Sequence, residues 1–256
     1  MREVMACLFV AVLALGLVVG CGMVERAEEA EVPVEEVVAP MGQPGEITLQ
    51  GVRDAKFGSH SIQLTQNFGA ANRLRTKGIQ AGHCEIVLID FDRSELRRFV
   101  EARRGRKLSG ELEMHVYEID RPQADIHVAT LQTASEWEEG QTSFDQAQRG
   151  ESCYTWARYQ VERWKTQDGA EVENLRDLFY DLNADEVKTI ENSHSPTVRD
   201  GDRTVTIQLD EKVIKDLALN ENCRGLILFN RHPEARLDFY SRRQANRRYS
   251  LKVVAE

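Results

Sequence analysis

The chain has 256 residues, a hydrophobic fraction of 41% and a formal net charge of −9 at pH 7. The negative charge is uneven, because residues 22–46 carry −6 and the body from Ile47 onward carries only −3. After residue 20 no segment is apolar enough to cross a membrane. The body has no overall basic charge, so nucleic acid is not an expected partner.

The chain begins with an apolar run that ends Leu17-Val18-Val19-Gly20-Cys21. The run is shorter than the roughly 20 residues needed to span a bilayer and suits a signal peptide. Its end resembles the lipobox of bacterial lipoproteins, in which a small residue precedes the lipidated cysteine. The resemblance implies that residues 1–20 are removed and that acylated Cys21 anchors the protein to a lipid membrane, outside the cytoplasm. An uncleaved anchor or an ordinary signal peptide is the alternative.

Gly22 follows the cysteine in place of the Asp that marks inner-membrane retention in some bacteria. By analogy, the outer membrane is the expected destination. Residues 21–46 contain seven Glu residues, three Pro residues and no aromatic residue. Such a segment buries too little apolar surface to offset its ordering entropy, so we predict a disordered, extended tether.

Residues 47–256 are long enough for one domain, and alternation of apolar and polar residues dominates them. The alternating sets are Val87, Ile89 and Phe91; Leu112, Met114 and Val116; Val205, Ile207 and Leu209; Leu237 and Phe239; and Tyr249, Leu251 and Val253. This period predicts strands with one buried face, and the scarcity of helices favours an all-β antiparallel sandwich. Leu226–Phe229, a continuous apolar run, indicates a central strand.

Helices are predicted at two places in the body. Asp210 is expected to cap a short helix that ends near Leu217, and residues 94–103 are expected to form a second helical turn. Residues 157–200 mix aromatic and charged residues without a clear period, so we expect a long, partly helical excursion over the sandwich.

Several stretches match, in order, the motifs of one known family. They are Asn67–Arg75, Ile89–Asp92, Leu108–Tyr117, Trp137–Gly140 with Thr155-Trp156, Val205–Leu217 and Phe239–Arg242. The body resembles a DNRLRE-type (disaggregatase-related) domain, which implies a jelly-roll β-sandwich related to carbohydrate-binding modules. Phe68 stands where the family usually has Tyr, and Arg243 where it usually has Glu. Residues 157–200 are longer than is typical of the family.

Three cysteines remain after the leader: Cys84, Cys153 and Cys223. In an exported protein this odd number allows one disulfide among them and one free thiol. Three buried thiols are the alternative.

Sequence motifs for catalysis are missing: the chain has no G-x-S-x-G, H-E-x-x-H, P-loop or G-x-G-x-x-G pattern. The six histidines are scattered, so neither a metal site nor a cofactor is expected. We therefore predict a protein that is not an enzyme. A pair of carboxylates could still meet in space, as in a glycosidase, but the sequence does not single one out.

Basic residues accumulate after Arg224, and a second basic run follows the first predicted strand. The candidate ligand-binding residues are Arg73, Arg75, Lys77, Arg236, Tyr240, Arg243 and Arg247, with Trp164 as an exposed platform for sugar stacking. Arginine forks bind carboxylates in bidentate fashion, and aromatic faces stack on sugar rings. If the resemblance holds, the earlier run lies beside the C-terminal strands. The alternative is a set of solvated outward faces with Arg242 in a structural ion pair.

Two further tryptophans, Trp137 and Trp156, are expected in the core. The leading hypothesis is thus a non-catalytic cell-envelope lipoprotein that presents a β-sandwich to a polysaccharide, above all an acidic one, or to another surface polymer. The second hypothesis is a structural or assembly protein of the envelope that binds a protein partner. The third is a polysaccharide-processing enzyme.

Overall fold

The structure, a computed structural model, describes residues 42–78, 83–119, 123–181, 186–187, 197–199, 204–232 and 235–256. Cys21, the predicted leader and residues 22–41 of the predicted tether lie outside the described residues, as does much of the stretch from 182 to 203. Pro40–Glu256 forms one compact unit. Its first strand begins at Gly45, so the domain starts slightly before the predicted boundary at residue 47.

Strands make up most of the regular structure. In chain order they are β1 (Gly45–Gly58), β2 (Gln66–Asn67), β3 (Arg73–Lys77), β4 (Glu85–Phe91), β5 (Leu108–Ile119), β6 (Gln123–Asp125), β7 (His127–Gln132), β8 (Asp145–Gln146), β9 (Trp156–Arg158), β10 (Glu162–Arg163), β11 (Tyr180–Asp181), β12 (Glu186–Val187), β13 (Thr197–Arg199), β14 (Thr204–Leu209), β15 (Cys223–Phe229), β16 (Arg236–Tyr240) and β17 (Ser250–Ala255). Two helices, α1 (Arg93–Glu101) and α2 (Glu211–Leu219), follow β4 and β14.

The main sheet is antiparallel and closes on itself. Its pairings run from β1 through β17, β5, β16, β3 and β4 and return to β1. Closure depends on β1, which pairs with β17 over Gly45–Gln50 and with β4 over Gly51–Gly58, with an irregularity between Gly51 and Arg53. β15 and β7 extend the sheet beyond β4, and β14 pairs with β5. The predicted all-β antiparallel sandwich is thus confirmed as an all-β antiparallel fold, whose closed circuit of strands is sandwich-like or barrel-like.

The larger core lies inside this circuit. Leu112, Met114 and Val116 of β5 are buried there, as their alternation predicts, and their neighbours along the strand are more exposed. The two helices close this core. Asp92 and Asp210 cap them by accepting backbone N–H groups of the first turn, so both predicted helices are confirmed.

A second core lies on the opposite face of β4. Ile86 and Leu88 pack there against Trp137, Trp164 and other residues of the segment 133–179. Every residue of β4 is therefore buried, and the prediction of a single buried face is wrong for this strand. The central position predicted for the run in β15 is correct, because β15 lies between β4 and β7.

The covering segment differs from the predicted excursion. It begins near Thr133 rather than at residue 157, and it is mostly irregular. Between 157 and 181 the described residues form β9, β10, β11 and one 3-10 turn at Leu175–Leu178, so helix is a minor part of it. The segment is stabilised by burial of its aromatic side chains instead of by backbone ladders.

Candidate functional site

Strands β3 and β16 bring most of the predicted ligand-binding residues together. Their antiparallel register places Arg236 opposite Lys77, Asp238 opposite Arg75 and Tyr240 opposite Arg73. Because alternate residues point to one side of a sheet, these six share one face, while Leu74, Leu237 and Phe239 are buried on the other. We call Arg73, Arg75, Lys77, Arg236, Tyr240 and the neighbouring Arg247 the basic face. The prediction that the basic run at Arg73–Lys77 lies beside the C-terminal strands is confirmed.

A buried carboxylate fixes the centre of the basic face. Asp238 is 1% exposed and accepts hydrogen bonds from Arg75 Nε and Nη2 at 2.7 and 2.9 Å. This bidentate pair raises the pKa of the Arg75 guanidinium. Arg236 donates to Glu118 at 2.6 Å, and its Nε lies 3.8 Å from Asp238. Arg75 and Arg236 are therefore partly neutralised and held in position.

Cations and aromatic rings alternate at one end of the basic face. The Arg73 guanidinium carbon lies 3.5 Å from the centroid of the Tyr117 ring, which meets Tyr240 edge to face at 5.4 Å. Arg247 lies 4.5 Å from the Tyr240 ring and donates to its hydroxyl. These stacks orient both guanidinium groups without cancelling their charge. Within the part of the chain that the structure describes, neither Arg73 nor Arg247 has a carboxylate partner.

Three pockets border the basic face. One of 340 Å³ is lined by Lys56, Asn72, Arg73, Arg75, Phe144 and Asp238 among others. One of 230 Å³ lies on the other side of Arg75, with Lys77, Arg236 and a histidine pair, His60 and His83, whose rings are 4.6 Å apart. One of 460 Å³ is lined by His115, Val116, Tyr240 and Arg247. Among the described residues, the basic face is thus bordered by several separate depressions rather than by one cavity.

Trp164 is not part of this site, and its prediction as an exposed platform is wrong. It is fully buried, its indole N–H donates to the Cys153 carbonyl at 3.0 Å, and it meets Phe57 edge to face. Trp156, predicted in the core, is instead half-buried, with Arg163 lying 3.9 Å above its ring. Trp137 is buried as predicted.

Arg243 also lies apart from the strand register of the basic face. Its Nε donates to the Gly69 carbonyl at 2.8 Å, and its Nη2 is 3.9 Å from Glu139. These contacts tie two loops together. The structure therefore gives Arg243 a positioning role and does not place it in line with Arg73 and Arg236.

Three residues of this site were not among the predicted ligand-binding residues: Tyr117, Lys56 and Phe144. The position of Tyr117 follows from the alternation of β5, since a strand that buries Val116 must turn the next residue outward. Phe144 is an isolated aromatic residue in a polar segment; it is 63% exposed and has a positive φ of 65°. Lys56 carries no such signal, because its burial against Phe68 and its 2.9 Å ion pair with Glu85 depend on the fold.

Residues from three of the motifs that carry the family resemblance, Asn67–Arg75, Trp137–Gly140 and Phe239–Arg242, meet in one network. Arg242 pairs with the Glu139 carboxylate, and Asn67 donates to the Glu139 carbonyl at 2.9 Å. A Cβ on Gly69 would lie 1.6 Å from that same carbonyl oxygen, so the close approach requires glycine. Arg242 thus forms the structural ion pair that the alternative interpretation predicted.

Asp54 completes this network and is fully buried. Its Oδ2 accepts the backbone N–H of Arg242 at 2.7 Å, while its Oδ1 has no hydrogen-bond partner among the described residues. Burial, opposed by that hydrogen bond and reinforced by the Glu139 charge, raises the pKa of Asp54 to about 7.

The three body cysteines are separate and buried, and none forms a disulfide. The predicted disulfide among Cys84, Cys153 and Cys223 is therefore not formed, and the alternative of buried thiols describes the structure. Burial raises the pKa of Cys223 to about 11 and raises that of Cys153 as well, so both stay protonated.

Neither the comparison with protein-family models nor the search of curated proteins finds a match for this chain. Among the described residues, no three His, Cys, Asp or Glu side chains are grouped so that they could hold a metal ion. Over the same residues, no helix has both the length and the apolar character needed to cross a bilayer.

Proposed function

We propose that this chain is a non-catalytic lipoprotein of the bacterial cell envelope whose β domain binds an acidic polysaccharide, or another anionic surface polymer, along the basic face. The proposal rests on the β3–β16 register, which aligns Arg73, Arg75, Lys77, Arg236 and Tyr240 on one side of the sheet. Guanidinium groups recognise carboxylate and sulfate groups, and the Tyr240 ring offers an apolar surface for a sugar. The resemblance to carbohydrate-binding modules supports the same ligand class.

Affinity electrophoresis of residues 40–256 tests this proposal. This part of the chain contains both cores and the closed strand circuit, so it is expected to fold by itself. Gels that contain polygalacturonate should retard the protein, and gels that contain neutral dextran should not. Added salt should weaken the retardation, because it screens exposed charges.

The double variant Arg73→Gln with Lys77→Gln should weaken polygalacturonate binding about tenfold or more, since each charge-assisted hydrogen bond contributes about 1.5–3 kcal/mol. These two residues are chosen because neither has a carboxylate partner among the residues described, whereas removal of Arg75 would leave buried Asp238 unpaired. The matched control, Arg104→Gln with Lys107→Gln, removes the same two residue types from an exposed loop. Equal losses in both variants would reject the basic face as the site. If no glycan retards the protein while pull-downs recover one envelope protein, the assembly hypothesis replaces ours.

The proposed anchor has a separate test in the intact bacterial lipoprotein. Cys21→Ala should abolish incorporation of labelled fatty acid, because Cys21 is the proposed acylation site. Cys7→Ala is the control and should leave labelling unchanged, because Cys7 is removed with the leader. Label that persists in Cys21→Ala would show that the lipobox interpretation is wrong.

A further inference from the structure

A second group of cations lies at the opposite end of β5 from the basic face. The loop after α1 contains Arg103, Arg104, Arg106 and Lys107, four cations in five residues, and we call it the basic loop. Arg104 and Lys107 are exposed. Within the described chain no carboxylate forms an ion pair with any of the four. Such unpaired cations on one loop form a compact positive surface.

The basic loop borders a pocket between the two helices. The pocket has a volume of 460 Å³, and its lining combines the basic loop with Glu101, the ion pair of Lys215 with Glu211 at 2.6 Å, and the apolar residues Val100, Leu108 and Leu219. Leu219 is 42% exposed, although it is a large hydrophobic residue at the end of α2. Arg103 stacks on Phe99 at 3.9 Å, and its buried Nε has no hydrogen-bond partner among the described residues. Because the basic loop outweighs Glu101, and Glu211 is paired with Lys215, the lining is net positive beside apolar residues, which matches a surface that is both anionic and partly apolar.

The chain enters the domain at this same loop. The Gly42 N–H donates to the Arg104 carbonyl at 3.2 Å, and Arg106 Nε donates to the Gly42 carbonyl at 2.7 Å. The segment that leads back to Cys21 therefore starts beside the basic loop. If Cys21 is acylated, as proposed above, this end of the domain is the one joined to the membrane.

We propose that the basic loop and the pocket beside it bind the phosphate headgroups of an anionic membrane surface. Lys and Arg residues near such a surface each contribute attraction, and the exposed apolar Leu219 can contact the interface. The contact also orients the domain. β5 runs from Leu108 beside the basic loop to Ile119 beside β16, roughly 35 Å at the usual rise per residue. The membrane contact would thus hold the basic face away from the bilayer and toward polymer.

The proposal rests on the proposed anchor, but its test uses residues 40–256, which lack Cys21 and its acyl chains. The protein should sediment with vesicles of phosphatidylcholine mixed with phosphatidylglycerol, and should not sediment with vesicles of phosphatidylcholine alone. Arg104→Gln with Lys107→Gln should weaken binding to the mixed vesicles by about fivefold for each cation removed. Arg73→Gln with Lys77→Gln is the matched control and should leave vesicle binding unchanged.

The two double variants separate this proposal from the proposed polymer function. Loss of vesicle binding in the loop variant, with retained polygalacturonate binding, supports the membrane contact whether or not the basic face binds glycan. Equal weakening by both variants would show an effect of net charge only and would overturn the proposal. Absence of binding to mixed vesicles would overturn it as well. Binding of soluble polyglutamate in place of vesicles would assign the loop to an acidic protein segment instead. Unchanged thermal midpoints would confirm that both variants are folded.

Discussion

Trp164→Ala is expected to lower the free energy of unfolding of the domain by about 3–5 kcal/mol. The side chain is fully buried in the second core, where it packs edge to face against Phe57 at 6.2 Å. Its removal leaves a cavity beneath the segment 133–179 and leaves the Cys153 carbonyl without its indole donor. Urea denaturation monitored by circular dichroism would measure the change.

Trp156→Ala is the matched control for this prediction. Trp156 is half-buried under Arg163 and beside Tyr159, so its loss should cost only about 1 kcal/mol, the range of a cation–π contact and a partly exposed ring. Polymer binding by Trp164→Ala should remain normal below its midpoint of unfolding. If Trp164→Ala is stable but loses glycan binding, the sugar-platform hypothesis is restored and the buried position is wrong.

The environment of Trp164 could not be predicted, because it is made by contacts distant in sequence. The segment 133–179 has no sustained period, so nothing local indicates which of its aromatic residues faces inward. Trp156 and Trp164 are separated by only eight positions, yet one is half-buried and the other fully buried. Contacts distant in sequence also explain why both faces of β4 are buried, because its second face packs against the segment 133–179.

The basic face was more accessible to prediction, because alternation fixes which residues of a strand share a side. Arg73, Arg75 and Lys77 follow one another at intervals of two residues, and so do Arg236, Asp238 and Tyr240, so each set shares one side of its strand. Only the pairing of β3 with β16 had to be supplied by the family resemblance. Charge alone did not reveal that buried Asp238 holds Arg75. The prediction of one disulfide from the number of cysteines failed for a different reason. Each of the three thiols is buried separately and packs as a small apolar group without a second thiol.

Asp54→Asn is expected to change how stability depends on pH. A carboxyl whose pKa is raised from 3.8 to about 7 on folding takes up protons in the folded state between these values. Ionisation of Asp54 therefore has no effect on the free energy of unfolding below about pH 4. As pH rises to about 7 it lowers the free energy of unfolding progressively, and above about pH 7 the effect is constant. At about 1.4 kcal/mol per pKa unit, the full effect is roughly 4 kcal/mol.

Asparagine removes this titration and keeps an oxygen that can accept the Arg242 N–H. The stability of Asp54→Asn relative to the wild type should therefore improve steadily from about pH 4 to pH 7, whatever the offset caused by the amide itself. Denaturation in urea across this range measures the difference directly. Parallel profiles for the two proteins would show that Asp54 ionises normally and that its buried position is wrong.

Asp92→Asn provides a control of opposite sign. Hydrogen bonds from the Ser94 hydroxyl and the Glu95 N–H lower the pKa of Asp92 at the start of α1. The stability that ionised Asp92 contributes to the folded domain is thus present above the pKa of the unfolded state and is lost as pH falls through the pKa of the folded state. Asp92→Asn should be less stable than the wild type at neutral pH and approach it in acid, whereas Asp54→Asn gains on the wild type as pH rises. Opposite slopes in the two variants would show that burial of Asp54 among Glu139 and Arg242, rather than the loss of a carboxylate as such, determines the pH dependence.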